Sequence, residues 1–251
     1  MRKPLILMPR AGIKRAGLFA LAALAACSLL ARPVAAEEFT PAQRAEIVRI
    51  VRDALMEDPS ILHDALQSMK DADMRNAIEA HRAALVTPAD PVVGNVNGTV
   101  TVVEFYDTRC PYCREIEPTI AQLLVRDHSV RLVYKDLPVL GPASVLAAHA
   151  LLAAQQQNGY EKLRAALMHA PPDYTREEVL AMARKVGLNP DRLAHDMDDP
   201  AIATRLDANL ALASALGIDG TPALVVGDVL VPGAIELSEL EKDIATARAA
   251  Q

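Results

Sequence analysis

The chain lacks tryptophan and carries only three Phe and five Tyr in 251 residues. That leaves no aromatic stock for the stacking platforms on which single-stranded nucleic acids are held. Three Cys are too few for a scaffold stapled by disulfides. Acidic residues are absent from the first 36 positions, which hold six of the 26 Lys and Arg. The remainder has 20 basic against 32 acidic residues, a net of −12. A body this acidic is a poor partner for phosphate backbones, so no nucleic-acid partner is expected. The longest apolar run, Ala16 to Ala31, stops at Arg32 and Pro33, short of the ~20 residues that span a bilayer as a helix. With 51% apolar and 23% charged residues, the composition is globular, sized for one large domain or one domain with a small appendage.

The first 36 residues read as an address. Arg2, Lys3, Arg10, Lys14 and Arg15 precede the apolar run, and Val34-Ala35-Ala36 puts small residues at the cleavage positions of a secretory signal. This predicts export to the periplasm after a cut near Ala36. Leu24-Ala25-Ala26-Cys27 also resembles a lipobox, and the alternative is a lipoprotein anchored at Cys27. Either route leads to an oxidising compartment.

Residues 37–88 read as helical. Thr40-Pro41-Ala42-Gln43 has the form of a capping box with Pro at the first helical position. Apolar residues follow at helical spacing (Ile47, Val48, Val51, Leu55), then Ile61, Leu62, Leu66 and Met69, then Met74, Ile78 and Leu85. Three short amphipathic helices are expected, each marginal alone. Their stripes pack on the main domain, on each other, or on another subunit, and a homo-oligomer through residues 37–86 is one expected outcome.

A linker at Thr87 to Pro91 leads into a turn at Gly94 to Gly98. Thr99 to Tyr106 is β-branched and aromatic, a strand. Arg114 to Asp127 has helical periodicity and Val130 to Lys135 is a second strand. Residues 142–217 are helical in pattern, punctuated by the capping box Thr175 to Glu178, by Asn189-Pro190 and Asp199-Pro200 as helix starts, and by Gly187 and Gly217 as helix ends. Ala223 to Val226 and Val229 to Val231 flank the hairpin pair Gly227-Asp228, and Ser238 to Glu241 is expected to cap a last helix. The order is β, α, β, a helical block, β, β, α.

The chemistry sits at Cys110-Pro111-Tyr112-Cys113, at the junction of the first strand with its helix. Exchange between thiols and disulfides needs one thiolate to attack and a second thiol near enough to resolve the mixed disulfide. Two intervening residues at a helix start place the sulfurs one turn apart, the first facing unpaired N–H groups and the positive end of the helix dipole, which lowers its pKa. Three other roles fit a bare CxxC. Zinc wants four ligands, and there is neither a second Cys pair nor a closely spaced pair among His63, His81, His128, His149, His169 and His195. A structural disulfide across so short a loop constrains little chain entropy. A soft metal such as Cu(I) held by both thiolates is the third.

Thr101 to Cys113 (TVVEFYDTRCPYC), Lys135 to Gly141 (KDLPVLG) and Gly220-Thr221-Pro222 resemble the DsbA-like branch of the thioredoxin superfamily. The resemblance covers about residues 92–250. It implies an α/β thioredoxin fold with an inserted helical domain at about 142–217, plus the N-terminal helical extension. It also implies a redox-active Cys110–Cys113 disulfide with Cys110 as nucleophile and Cys113 as resolving thiol, and no cofactor. Pro222 takes the place of the family's cis proline. Thr221 then offers backbone to a substrate strand, and Pro111 and Tyr112 line the binding surface. Glu104, six positions before Cys110, takes the place of the family's buried acid, with Lys135 as its expected partner. The 50 helical residues in front add a weaker resemblance to ScsC-type proteins (suppressor of copper sensitivity), in which such a segment mediates oligomerisation. The function implied is a periplasmic thiol:disulfide oxidoreductase or isomerase. Its expected partners are exported proteins with Cys and a membrane thiol redox partner. The alternative is a copper-binding or chaperone-like module using the same two thiols.

Overall fold

The computed structural model describes residues 39–250. The expected signal sequence and Cys27 lie outside them. Two compact units divide the chain at Leu62 and His63. In the first, helix α1 (Pro41–Glu57) opens with the expected capping box. The Thr40 hydroxyl accepts from the Gln43 N–H while the Gln43 side chain accepts from the Thr40 N–H. α1 buries none of its residues, and Ile47, Val48, Ile50, Val51 and Met56 stand exposed. The Asp58 carboxylate accepts from the Ser60 N–H at the start of α2 (Ser60–Leu85). α2 runs unbroken for 26 residues where two shorter helices were expected. No Gly or Pro interrupts it, so nothing stops propagation once the first turn forms.

The second unit is built on a five-stranded sheet in the order β1-β3-β2-β4-β5: β1 (Val92–Gly94), β2 (Val100–Tyr106), β3 (Val130–Asp136), β4 (Ala223–Val226) and β5 (Val229–Pro232). β2 and β3 are parallel, joined by α3 (Pro111–Arg126), and the remaining pairs are antiparallel. β1 was not foreseen: three residues are too few for alternation to declare itself, and its Gly94 at φ +77° reads as turn chemistry. The helical block resolves into α4 (Pro142–Gln155), α5 (Tyr160–His169), α6 (Arg176–Lys185), α7 (Pro190–Asp196) and α8 (Pro200–Ala215). Thr175, Asn189 and Asp199 cap α6, α7 and α8 through their side chains, as the sequence predicts. α9 (Leu237–Ala249) starts earlier than predicted. Glu236, not Ser238, is its N-cap, and it makes no side-chain capping bond.

Alternation along the strands gives the sheet two buried faces. Val102, Tyr106, Leu132, Tyr134, Leu224 and Val226 face one core, which takes in α3, α9 and most of the helical block. Val103, Phe105, Val133, Ala223 and Val225 face the other, closed by Ile78 and Leu85 of α2 and by Leu212 and Ala213 of α8 with its C-cap Leu216. The block is fastened to the first face by hydroxyls. Tyr160 Oη lies 2.7 Å from Tyr106 Oη and donates to Asp136 at 2.9 Å.

The second face contains a buried ion pair. Lys135 Nζ donates to Asp90 Oδ2 at 2.7 Å and to the Ala84 carbonyl at 2.9 Å, with both charged side chains under a tenth exposed. It ties the segment leaving α2 to β3. Replacing Asp90 alone with Ala leaves an ammonium buried without its counter-charge, which costs about 3–5 kcal/mol, whereas an apolar pair at both positions costs far less. Denaturant titration of D90A and of D90A/K135M is expected to show the double variant as the more stable of the two.

Candidate active site at the first turn of helix α3

The two thiols sit where the β2 chain turns into α3. Cys110 is the N-cap, with extended backbone (φ −69°, ψ 123°) and its N–H donating to the Asp107 carbonyl at 3.0 Å; Pro111 opens the helix. Cys113, one turn on, is 0% exposed, and Cys110 keeps a 4% sliver of surface. Tyr112 between them is 60% exposed. Of the two, Cys110 alone keeps any surface, while Cys113 is sealed. Both sulfurs stand as free thiols.

The chain returns to the thiols between α8 and β4. The Thr221–Pro222 peptide bond is cis. The Cys110 thiol donates to the Thr221 carbonyl at 3.1 Å. Pro222 is buried, and its own carbonyl accepts from the Gly233 N–H at 2.8 Å. Beside it lies a cleft of about 250 Å³ floored by Gly220, Thr221, Pro222, Leu230 and Pro232. The backbone beside Cys110 is therefore fixed, and it borders open space.

The two sulfurs ionise very differently. The Cys110 pKa is lowered to about 5, first by the hydrogen bond from the Cys113 thiol. Burial works against this, and the Thr221 side chain and the N–H groups of Cys113 and Tyr112 add to it. The Thr221 carbonyl, an acceptor, favours the thiol form; the donors outweigh it. The Cys113 pKa is pushed far up, because its proton is held toward Cys110 and because it is buried. The helix-start N–H groups foreseen from the sequence do contribute, but the neighbouring thiol is the larger influence.

Glu104 is 0% exposed, on the sheet face that α3 covers. Its expected partner, Lys135, is not there. In the β2–β3 register Glu104 lies opposite Tyr134 and Lys135 opposite Phe105, so the two side chains leave opposite faces of the sheet, and Lys135 is committed to Asp90. Neither Glu104 carboxylate oxygen has a hydrogen-bond partner. Burial raises its pKa to about 7, Arg164 of α5 pulls it down and Glu117 of α3 pushes it up. The Glu104 charge in turn adds to the cost of ionising Cys113.

Three further residues shape the site. Asp107, 3% exposed, accepts from the Arg109 N–H, the Ser144 hydroxyl and the N–H groups of Val139 and Leu140, which holds the loop after β3 beside the thiols. Arg114 donates to the carbonyls of Thr108, Ala170 and Leu167 and stitches α3 to the segment after α5. Arg164 is the third. Its signal was present in the sequence: it interrupts the buried stripe Tyr160, Leu163, Leu167 and Met168 of α5, where an unpaired cation would be costly. Among the described residues no group of three or more His, Cys, Asp or Glu is placed to hold a metal ion.

The unequal thiols have a direct spectroscopic consequence. Thiolate absorbance of the reduced protein is expected to rise through a single midpoint near pH 5, and in Cys113→Ala, which removes the donated hydrogen bond, at a clearly higher pH. The depressed Cys110 value lies below that of a free thiol. Its stabilisation of the reduced fold is therefore fully present above the free-thiol pKa and is lost as pH falls through about 5. Unfolding of the reduced and oxidised forms across that window checks the sign.

A model of the copper resistance protein ScsC N-terminal domain matches residues 43–70. A thioredoxin-like oxidoreductase from Silicibacter pomeroyi is 45% identical in sequence, with a TM-score of 0.64 over 66% of this chain and 95% of that one. The thiol-disulfide exchange protein alpha-DsbA2 of Wolbachia pipientis is 30% identical (TM-score 0.66, 71% of this chain and 97% of that one). Proteus mirabilis ScsC in a transitional conformation is 28% identical (TM-score 0.65, 85% of this chain and all of that one). Among curated relatives, the Na(+)/H(+) antiporter NhaA 3 of Salinispora tropica is 32% identical over 148 residues, and the chain spans about a quarter of that protein's length. A model of the DSBA-like thioredoxin domain matches residues 101–245, more than half of the sequence, and by that match the chain belongs to the DsbA-like family of thiol–disulfide oxidoreductases.

Proposed function

We propose that this protein is an exported thiol:disulfide oxidoreductase or isomerase acting on Cys-containing proteins of the periplasm through its CPYC site. The observation that carries this reading is the pairing of a readily ionised Cys110, which keeps a sliver of surface, with a fully buried, protonated Cys113 one turn away. In the reducing direction the Cys110 thiolate attacks one sulfur of a client disulfide and releases the other as a thiolate. Cys113, losing its proton, then attacks Cys110 Sγ, forms the Cys110–Cys113 disulfide and frees the second client thiolate. Two electrons pass to the client and two protons complete its thiols. Oxidation of a client dithiol is the same path in reverse. Isomerisation needs Cys110 to attack and then be displaced by another client thiol, with no net transfer. A stabilised thiolate makes the disulfide form the more oxidising.

Client backbone lies along Thr221 and Pro222, whose extended edge faces the 250 Å³ cleft, with Pro111 and Tyr112 as the exposed apolar rim. Glu104 takes the Cys113 proton. A membrane thiol redox partner restores the working state. Residues 1–36 direct export, by cleavage near Ala36 or by lipidation at Cys27. The thioredoxin-like protein of Salmonella enterica, 32% identical, is described as periplasmic.

The exposed apolar stripe of α1, with Ile61 and Leu62 beyond it, is covered by a second copy of this chain. The match to the ScsC N-terminal domain over residues 43–70 supports that occupant. Several thiol sites facing one client favour isomerisation.

Cys110→Ser is expected to abolish both insulin reduction and reactivation of scrambled ribonuclease. Activity above a tenth of wild type in either assay overturns the enzyme reading, and stoichiometric Cu(I) binding without exchange would favour the copper-binding alternative. Deleting residues 37–62, which spares the buried Ile78 and Leu85, is expected to lower the mass in light scattering to that of a monomer. A mature protein already monomeric removes the oligomer.

A further inference from the structure

Two buried polar groups without hydrogen-bond partners lie on different elements over one face of the sheet. Glu104 on β2 has both carboxylate oxygens unpartnered, and Arg164 on α5 has its Nε–H unpartnered. Other parts of the Arg164 guanidinium are engaged. It lies over the rings of Tyr134 (4.2 Å to the centroid) and Tyr106 (4.8 Å), and Nη1 donates to Glu117 Oε1 at 3.2 Å. The stacking fixes the plane of the cation. The side chain is 5% exposed, against 22% for Glu117. On its outer side the guanidinium lines a cavity of about 280 Å³ among α3, α5 and β3, which also takes in Glu117, Glu161, Tyr134 and Leu124. Its inner side is turned to the sheet face that carries Glu104.

Resting on the exchange reading above, we infer that Arg164, supplied by the inserted helical block, is the positioning residue that lets Glu104 accept the proton of Cys113 in the resolving step, with Glu117 as the counterweight that keeps Arg164 from holding Glu104 permanently ionised. The step balances as follows. The Cys113 S–H bond breaks and its proton goes to a Glu104 oxygen. The sulfur electron pair forms the bond to Cys110 Sγ, and the Cys110–client S–S bond breaks, with its electrons leaving on the client thiolate. The Cys113 anion is disfavoured by burial and by the Glu104 charge, and protonating Glu104 removes the second penalty as it removes the proton. For Glu104 to be available beforehand it must be ionised in a dry site, and an unpaired carboxylate there would stay protonated. Arg164 supplies the countercharge, and its free Nε–H is the donor left for the ionised form.

The charged and titratable groups facing Glu104 come from each element packed on it: Cys113 and Glu117 from α3, Tyr134 from β3 and Arg164 from α5. Among these Arg164 is the one cation. Lys135, the cation that sequence position alone suggests, is on the other face of the sheet. The block that covers the sheet thus also sets the charge state of the acid beneath the thiols.

The test is a titration of the Glu104 side-chain carboxyl carbon by NMR in the full mature chain, wild type against Arg164→Met, Arg164→Lys and Glu117→Gln. It is joined to stopped-flow measurement of the two steps of reaction with oxidised glutathione. The expected midpoint is near 7 in the wild type, higher by about one pH unit or more in R164M, lower in E117Q, and close to wild type in R164K. At pH 7 that shift leaves about a tenth of Glu104 ionised instead of half. The resolving step of R164M should therefore slow about fivefold, while attack by Cys110 is unchanged. An unmoved Glu104 midpoint in folded R164M overturns the inference. If R164M fails to fold, E117Q decides: a downward shift supports the inference and an unmoved midpoint overturns it. A wild-type protein that does not exchange with glutathione instead counts against the proposed function, and the titration still reads the Arg164–Glu104 coupling.

Discussion

The hydrogen bond between the two thiols is the interaction on which the site depends. It gives one proton to two sulfurs and makes their fates opposite: the Cys110 pKa falls to about 5 because Cys113 donates, and the Cys113 pKa rises because its proton is engaged. Helix geometry alone would not achieve this, since backbone N–H groups at a helix start lower the first sulfur without restraining the second. The surroundings keep the donor pointing one way. Cys113 is sealed under the first turn of α3, and Cys110 is pinned by its own N–H to Asp107 and by the Thr221 carbonyl from the far side. The cis bond at Pro222, the Asp107 network and the Arg114 stitches all converge on two residues that are not themselves charged in the sequence.

Much of this is legible in the sequence. Capping chemistry located α1, α6, α7 and α8, because a Thr, Asn or Asp ahead of a Pro or Glu answers a local need for hydrogen bonds that no distant packing overrides. The order of strands and helices followed from periodicity, and the thiol pair from its spacing at a strand–helix junction. What failed was nonlocal or very short. β1 has three residues and exists only because β3 offers it an edge. The partner of Glu104 was misassigned because choosing between faces of a sheet requires the register between strands. One position of slip separates Lys135 from Tyr134, and the true cation comes from a helix 60 residues further along. The unbroken α2 departs from the three helices that three apolar clusters suggest, because no breaker lies between the second cluster and the third.

Two acids of the sheet region, Asp90 and Glu104, show how to separate structural charge from functional charge. Asp90 is matched to Lys135, whose ammonium also reaches the Ala84 carbonyl, so the cation is balanced twice over. Such a pair holds the linker in place. Glu104 is buried more deeply, has no hydrogen bond to either oxygen, and is held between a cation and an anion that pull its pKa in opposite directions. An unpartnered buried carboxyl destabilises the fold by about 1–3 kcal/mol relative to a satisfied one. A purely structural position would be better filled by Leu or Gln. The penalty is understandable where a group must be able to gain and lose a proton, because every hydrogen bond that fixed one state would obstruct the other. On that argument the missing bonds of Glu104 are a property the site requires, and the unpartnered Nε–H of Arg164, over the same face of the sheet, is the donor we assign to the carboxylate once it forms.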